Sequence, residues 1–247
     1  MLDTTFLLET NEKGWPMPLA APFPDACKQA NWSAQETKFL CSTGESRYRA
    51  KRTVPVGSIG FIDQFLDDLG LEGLAAMNIP PELEREEFLG RQIFRDVQKK
   101  DIPKMVEEYG PLLVKPGRRP KLFEATRSND MAGVTSTEPL FVSQMLPEPI
   151  VAEWRVFVLH GRVVGIRPYI LGRWICPDQA TVEKMAWPLF GYGAAALDVG
   201  VLESGRTVVI ECHPFIACGL YGFEGPDLLR MAKAAWMAEL RRQGYSF

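Results

Sequence analysis

A chain of 247 residues, 46% hydrophobic and 24% charged, has the make-up of a soluble globular protein, with length for one large domain or two small ones. Its net charge of −3 gives no bias toward polyanions, which argues against nucleic acid as the main partner. No run nears the roughly 20 apolar residues needed to span a bilayer. The start lacks a basic-then-apolar leader, and the five cysteines (27, 41, 176, 212, 218) contain no C-x-x-C pair. They read as reduced thiols of a cytoplasmic protein without a zinc site, one that neither crosses nor anchors in a membrane.

Residues 1 to about 56 are rich in Pro, Gly and aromatics with weak periodicity. The prolines of WPMPLAAPFPDA forbid one continuous helix, so short strands and loops are expected. Ser58 caps a predicted helix that stops near Gly70 or Gly73. A second helix is expected from Pro81, with Glu82 and Glu84 in its first turn and Lys99 and Lys100 at its end, as the helix dipole prefers. Pro103 begins a third. At Pro111 the texture changes. LLVK, KLFEATRS and EPLFVSQML read as strands, and EWRVFVLHGRVVGIRPYIL as two strands joined at His160-Gly161. A helix capped by Asp178 follows, then the hairpin LDVGVLESGRTVVIECHPF, then an amphipathic helix from Pro226. Hairpins interleaved with helices predict an α+β fold, without the regular βαβ alternation of a parallel sheet.

The hairpin poses the central question. Pairing Glu203 with Arg206 across the Ser204-Gly205 turn sets Asp198 directly opposite Glu211, and opposed like charges destabilise a sheet. Two readings stand. One carboxylate twists toward solvent or the register slips, or a divalent cation sits between the strands. Hard oxygens at these positions suit Mg²⁺ or Mn²⁺. His213, two residues beyond Glu211, shares its face, either as a ligand or as a structural hydrogen-bonding residue.

Positive charge nearby has two readings as well. Lys115 closes an apolar run, where it either snorkels or, with Arg118, Arg119 and Lys121, meets a triphosphate. Arg155 and Arg167 lie inside apolar strands and require an anion there: Glu153, Asp198, Glu211 or a ligand phosphate. A P-loop, a G-x-G-x-x-G strand-to-helix turn and a G-x-S-x-G elbow are all missing, and two histidines leave little material for a Ser-His-Asp triad.

Taken in order, VKP, a strand ending SQML, EWRVFV, GIRPYI, LDVGV and VIECHPFIACGLYG resemble the ATP-grasp fold. The nearest likeness is to a divergent clade of phages and bacteria that also includes the eukaryotic factor helping to assemble translation initiation factor two. The resemblance covers about residues 50 to 240 and is densest from 138 to 222. It implies an N-terminal α/β pre-grasp region (1–95) and an ATP-grasp domain (96–247), divided into a smaller subdomain (96–146) and a larger one (147–247) that binds metal and phosphate.

The resemblance also implies roles. Lys115 and Lys121, the latter on the next strand, would contact the nucleotide. Gln144, Met145 and Leu146 would read the adenine edge. Arg155 and Arg167 would meet the transferring phosphate, with Glu153 beside the nucleotide. Asp198 and Glu211 would hold Mg²⁺. Where the family usually has E-x-N, this chain has Glu211-Cys212-His213, so His213 either retunes the site toward Mn²⁺ or leaves the coordination shell. Gly219 and Tyr221 follow the metal strand and either line the acceptor site or form a simple turn.

The implied activity is an ATP- and Mg-dependent carboxylate–amine ligase working through an acyl phosphate. Its substrates would be ATP, a small-molecule or peptide carboxylate and an amine, the acceptor being an amino acid, a peptide or a protein. An ATP-dependent assembly factor and a phosphotransferase are the alternatives.

Overall fold

The computed structural model describes residues 4–37, 52–135, 137–170 and 175–245. Three sheets organise the α+β chain. In the first, β1 (Thr5–Glu9) lies parallel to both β2 (Ser33–Thr37) and β3 (Thr53–Val56), in the order β2-β1-β3. Helix α1 (Phe23–Ala30) connects β1 to β2, so this region is a βαβ unit and holds more regular structure than its prolines suggest. Pro22 supplies the start of α1, a position where its missing N–H costs nothing. Helix α2 (Ile59–Asp68) begins at Ser58, whose hydroxyl accepts from the Phe61 amide, and its C-cap at Leu69 precedes Gly70, as expected.

The helix expected after Pro81 breaks up. A 3-10 turn (Pro81–Leu83) and a single helical turn α3 (Glu86–Leu89) lead into strand β4 (Ile93–Val97). The charge gradient favours a helix, but Ile93, Phe94 and Val97 pair with β7 (Leu140–Gln144), and tertiary pairing overrides it. The expected boundary at residue 95 falls inside this strand. Helix α4 (Ile102–Tyr109) precedes β5 (Leu112–Pro116) and the short β6 (Thr126–Arg127), giving a second sheet in the order β4-β7-β5-β6. The strand expected over KLFEATRS is reduced to β6. Lys121 therefore sits in a turn with φ 54°, not on a strand.

The third sheet, β11-β10-β8-β9, is antiparallel. Strands β8 (Ile150–Leu159) and β9 (Arg162–Ile170) meet at His160-Gly161, as read from the sequence. Helix α5 (Gln179–Ala186) is capped by the Asp178 carboxylate on the Thr181 amide. Strands β10 (Ala194–Leu202) and β11 (Thr207–Pro214) form the last hairpin, followed by α6 (Pro226–Arg242).

Helix α6 ties the first and third sheets together. Its Trp236, fully buried, meets Phe65 of α2 edge-on at 5.4 Å, in one core that also holds Phe6, Leu8, Phe157 and Phe215. The opposite face of the third sheet packs on α5 through Val156, Val158 and Met185. The second sheet has its own smaller core around Leu112, Val114 and Val142. This layering leaves the ends of β5 and β11 facing one another. Among the described residues no helix is long and apolar enough to cross a membrane.

Candidate active site between the second and third sheets

Asp198 does face Glu211. The route to that register differs from the expected one. The Leu202 amide bonds the Arg206 carbonyl at 2.8 Å, so the turn spans Glu203, Ser204 and Gly205, with Gly205 at φ +85°, a conformation a side chain would strain. Pairing then runs Val201 with Thr207, Gly200 with Val208 and Val199 with Val209, until a bulge at Ile210 restores the Asp198–Glu211 opposition. Arg91, arriving from the segment before β4, holds that bulge. Its guanidinium donates to the carbonyls of Val209 (2.8 Å), Ile210 (3.1 Å) and Leu89 (3.2 Å). Burial pulls its pKa down to about 10, against the raising effect of Glu211.

Cations offset the repulsion. From β8, Arg155 grips Asp198 in a fork, Nε to Oδ1 and Nη2 to Oδ2, both at 2.7 Å. Its Nη1 donates to the Gly219 carbonyl at 2.9 Å, and its Cζ lies 5.1 Å from the Tyr169 ring and 4.9 Å from the Tyr221 ring. With 4% of Arg155 exposed, this guanidinium is committed to the protein. Burial pushes the Asp198 carboxyl up, but the hydrogen bonds from Arg155 and His213 outweigh it and hold it below the usual carboxylate range. Lys115, at the end of β5, reaches across from the second sheet to Glu211 Oε2 at 2.8 Å. His213 Nε2 stands 3.2 Å from Asp198 Oδ2 and 3.7 Å from Glu211 Oε2.

A cavity of about 540 Å³ opens beside these groups. Lys115, Lys121, Arg155, Glu211, His213, Gly219 and Tyr221 all line it, so seven of the residues singled out in the sequence come together. Asp198 lies beneath, against Arg155. The other expected residues sit elsewhere. Arg167 opposes Arg155 across β8 and β9 but donates to the carbonyls of Gly222 (3.2 Å) and Ile166 (2.9 Å). Glu153 is half-buried two positions along β8, its carboxyl pushed up by burial and by Asp198, against the pull of Lys115. Gln144 pairs with Leu112, about 10 Å along β5 from Lys115. It bonds the Gln92 amide at 3.1 Å, while Met145 is exposed and neither it nor Leu146 lines the cavity.

Three residues escaped the sequence reading. Arg91 is one. Tyr169 packs on Arg155 and Tyr221, and burial with the Tyr221 hydrogen bond pushes its phenol up to about 12. Asn78 is buried with φ 49°. It donates to the Pro116 carbonyl at 3.0 Å and accepts from the Cys212 amide at 2.7 Å, bracing the second sheet to the third. An Asn ahead of Ile-Pro-Pro is a recognisable left-handed position, but nothing in its sequence neighbourhood reveals what it touches.

Among the described residues, no group of three or more His, Cys, Asp or Glu side chains is arranged to hold a metal ion. Asp198, expected as a ligand, has both oxygens engaged by Arg155. Glu211 faces the cavity, and Lys115 and His213 both address the same one of its oxygens. The donor set therefore fits one hard cation held by Glu211 and completed by ligand oxygens, a common way of binding Mg²⁺. It does not fit a site built through Asp198.

Residues 88–231 match a family model described as an ATP-grasp domain, the second family of its clade. Solved structures share the fold at low identity. An ATP-grasp RimK domain protein from Sphaerobacter thermophilus DSM 20745 is 15% identical with a TM-score of 0.57, over 96% of this chain and 98% of that one. The D-alanine–D-alanine ligase of Bacillus anthracis is 12% identical with a TM-score of 0.59, over 98% and 99%. Macrocyclase MdnC from Microcystis aeruginosa MRC, solved with its precursor peptide MdnA, is 12% identical with a TM-score of 0.52, over 98% and 100%. No curated protein matches the sequence.

Proposed function

The chain belongs to the ATP-grasp family, and from that premise we propose that it is an ATP-dependent ligase joining a carboxylate to an amine. The observation that carries the reading is the cavity between two sheets in which Lys115 and Lys121 stand beside Glu211 and His213. Two lysines there suit a polyphosphate, and the carboxylate suits its counter-ion. A magnesium ion on Glu211 would neutralise phosphate charge when bound.

In the proposed reaction the substrate carboxylate oxygen attacks the γ-phosphorus of ATP, the P–O bond to ADP breaks, and an acyl phosphate results. The amine then attacks the acyl carbon and releases phosphate, leaving an amide. Lys115 and Lys121 hold the phosphates. Arg155 acts as a positioning residue, fixing Asp198 beneath the site and the 219–221 loop at its edge. Gly219 and Tyr221, with Tyr169, wall the acceptor side, where an amino acid, a peptide or a protein chain end would approach. MdnC was solved with a peptide, which supports testing peptides as well as amino acids. Arg167, Glu153 and the 144–146 strand become nucleotide contacts only if the cavity extends toward them on closure.

One observation favours a second reading. The guanidinium expected to meet the transferring phosphate is locked to Asp198. An ATP-binding assembly factor without turnover needs no such contact. Calorimetric ATP titration with Mg²⁺, with Mn²⁺ and with EDTA tests the shared premise, and ADP release in the presence of amino acids and peptides then separates the readings. ADP with an amide product supports the ligase. ADP with a phosphorylated product identifies a phosphotransferase, and ATP-strengthened protein binding without ADP identifies the factor. No ATP binding under any metal condition overturns all three.

A further inference from the structure

Lys115 and Glu211 belong to different sheets, and their 2.8 Å ion pair spans the cavity that both line. The pair is partly shielded, with 12% and 27% of the two side chains exposed. The backbone on either side is braced. Asn78 bonds the carbonyl of Pro116, next to Lys115, and the amide of Cys212, next to Glu211. The Ala76 amide adds a bond to the Arg118 carbonyl at 2.6 Å. With both strand ends held by the 76–78 segment, the two side chains can change partners while the backbone stays in place.

We propose that the Lys115–Glu211 pair makes the site selective for a metal–nucleotide complex over either component alone. The inference rests on the ligase reading of the cavity. A free polyphosphate offers Lys115 an anion but strands Glu211, a shielded carboxylate beside new negative charge. A free divalent cation offers Glu211 a partner but strands Lys115 beside new positive charge. Each component alone thus breaks an ion pair and repels the partner it leaves behind. The metal–nucleotide complex brings both charges at once, so Lys115 exchanges Glu211 for phosphate as Glu211 exchanges Lys115 for the metal. Neither group is left unpaired.

The test is calorimetry on the intact chain with two variants. Glu211→Gln keeps the shape, frees Lys115 and removes the repelling carboxylate. It should bind ATP in EDTA about tenfold more tightly than wild type, the scale of one charge-assisted hydrogen bond, while most of the gain from adding Mg²⁺ disappears. Lys115→Gln is the mirror. With no nucleotide present it should bind Mn²⁺ alone about tenfold more tightly than wild type. Thermal melting of both variants checks that they fold. If wild type binds Mg-ATP but Glu211→Gln gains nothing for metal-free ATP, the selectivity proposal is wrong and the nucleotide-site reading stands. An unchanged Mn²⁺ affinity in folded Lys115→Gln also overturns it. If wild type binds no form of ATP, both fall together.

Discussion

Replacing Arg155 with methionine separates a structural role from a phosphate-binding one. In the folded chain Arg155 donates two hydrogen bonds to Asp198 and one to Gly219, and it stacks between Tyr169 and Tyr221. Methionine fills similar space and abandons Asp198, a residue only 4% exposed. Removing one partner of a buried pair costs about 3–5 kcal/mol, a large fraction of the roughly 5–15 kcal/mol that holds a typical domain together. With a urea slope of about 3 kcal/mol/M, the midpoint should fall by about 1 M or more. Urea titration followed by tryptophan fluorescence measures it. A second variant, Arg155→Met with Asp198→Leu, removes both charges and should recover at least about half of the loss, because apolar pairs replace buried ion pairs at little cost. An arginine kept to meet phosphate would behave in the opposite way, since its removal would leave stability level or raise it. A loss under about 1 kcal/mol, or a double variant no better than the single, refutes the assignment.

Acid sensitivity follows from the same pair. Asp198 titrates below its unfolded value of about 3.9, so the unfolded chain binds the proton first. The pair's stability is therefore complete above that value and is lost as pH falls through the folded one. Asp198→Asn should flatten the stability profile between about pH 5 and 3, the range of that titration, in urea melts across pH. Gly219→Ala places a Cβ 2.8 Å from the Tyr221 ring and 3.2 Å from Arg155 Nη1. The exposed ring can swing away, so the expected result is a stability loss of about 1 kcal/mol with a changed near-UV tyrosine signal. An unchanged spectrum would contradict the packing. Arg91→Met leaves the carbonyls of the Ile210 bulge without their donor, for a loss of about 2–3 kcal/mol. Amide exchange should quicken first at Val209 to Cys212, and exchange that quickens uniformly would count against a local clamp.

The site was legible where chemistry is carried by residue type at strand spacing. Asp198, Glu211 and His213 share one hairpin, and Arg155 and Lys115 interrupt apolar runs. Such interruptions need partners, and the carboxylates of the hairpin supply them. Turn chemistry was less legible. Ser204-Gly205 suggests a tight turn, and only the three-dimensional pairing shows a longer turn offset by a bulge. The segment from Pro81 to Lys100 shows the limit of local signals. Its charges follow a helix dipole, but Ile93 to Val97 is claimed by β7, whose position no local window contains. Arg91 and Asn78 were invisible for a related reason. The contacts that matter are to backbone groups far along the chain, and a backbone group leaves no mark on the sequence.

The matched family region begins at residue 88, which invites treating the first 87 residues as dispensable. The core argues otherwise. Phe6, Leu8, Phe61, Ile62, Phe65 and Leu66 are buried in the same cluster as Trp236, Phe157 and Phe215. At about 1.5–3 kcal/mol for each large apolar side chain, those six contribute roughly 9–18 kcal/mol of burial, as much as a whole domain's net stability. Deleting them also exposes the face of α6 that they cover, and it removes the 76–78 brace between Pro116 and Cys212. A fragment of residues 88–247 should therefore be expressed as an aggregating or partly folded chain with poorly dispersed amide NMR signals. Co-expression with residues 1–87 should restore a soluble complex, because the missing surface is supplied in trans. A monomeric 88–247 fragment that melts cooperatively and keeps dispersed signals would show that the grasp sheets hold their geometry without the N-terminal βαβ unit. The brace would then be an accessory of the cavity and not one of its walls.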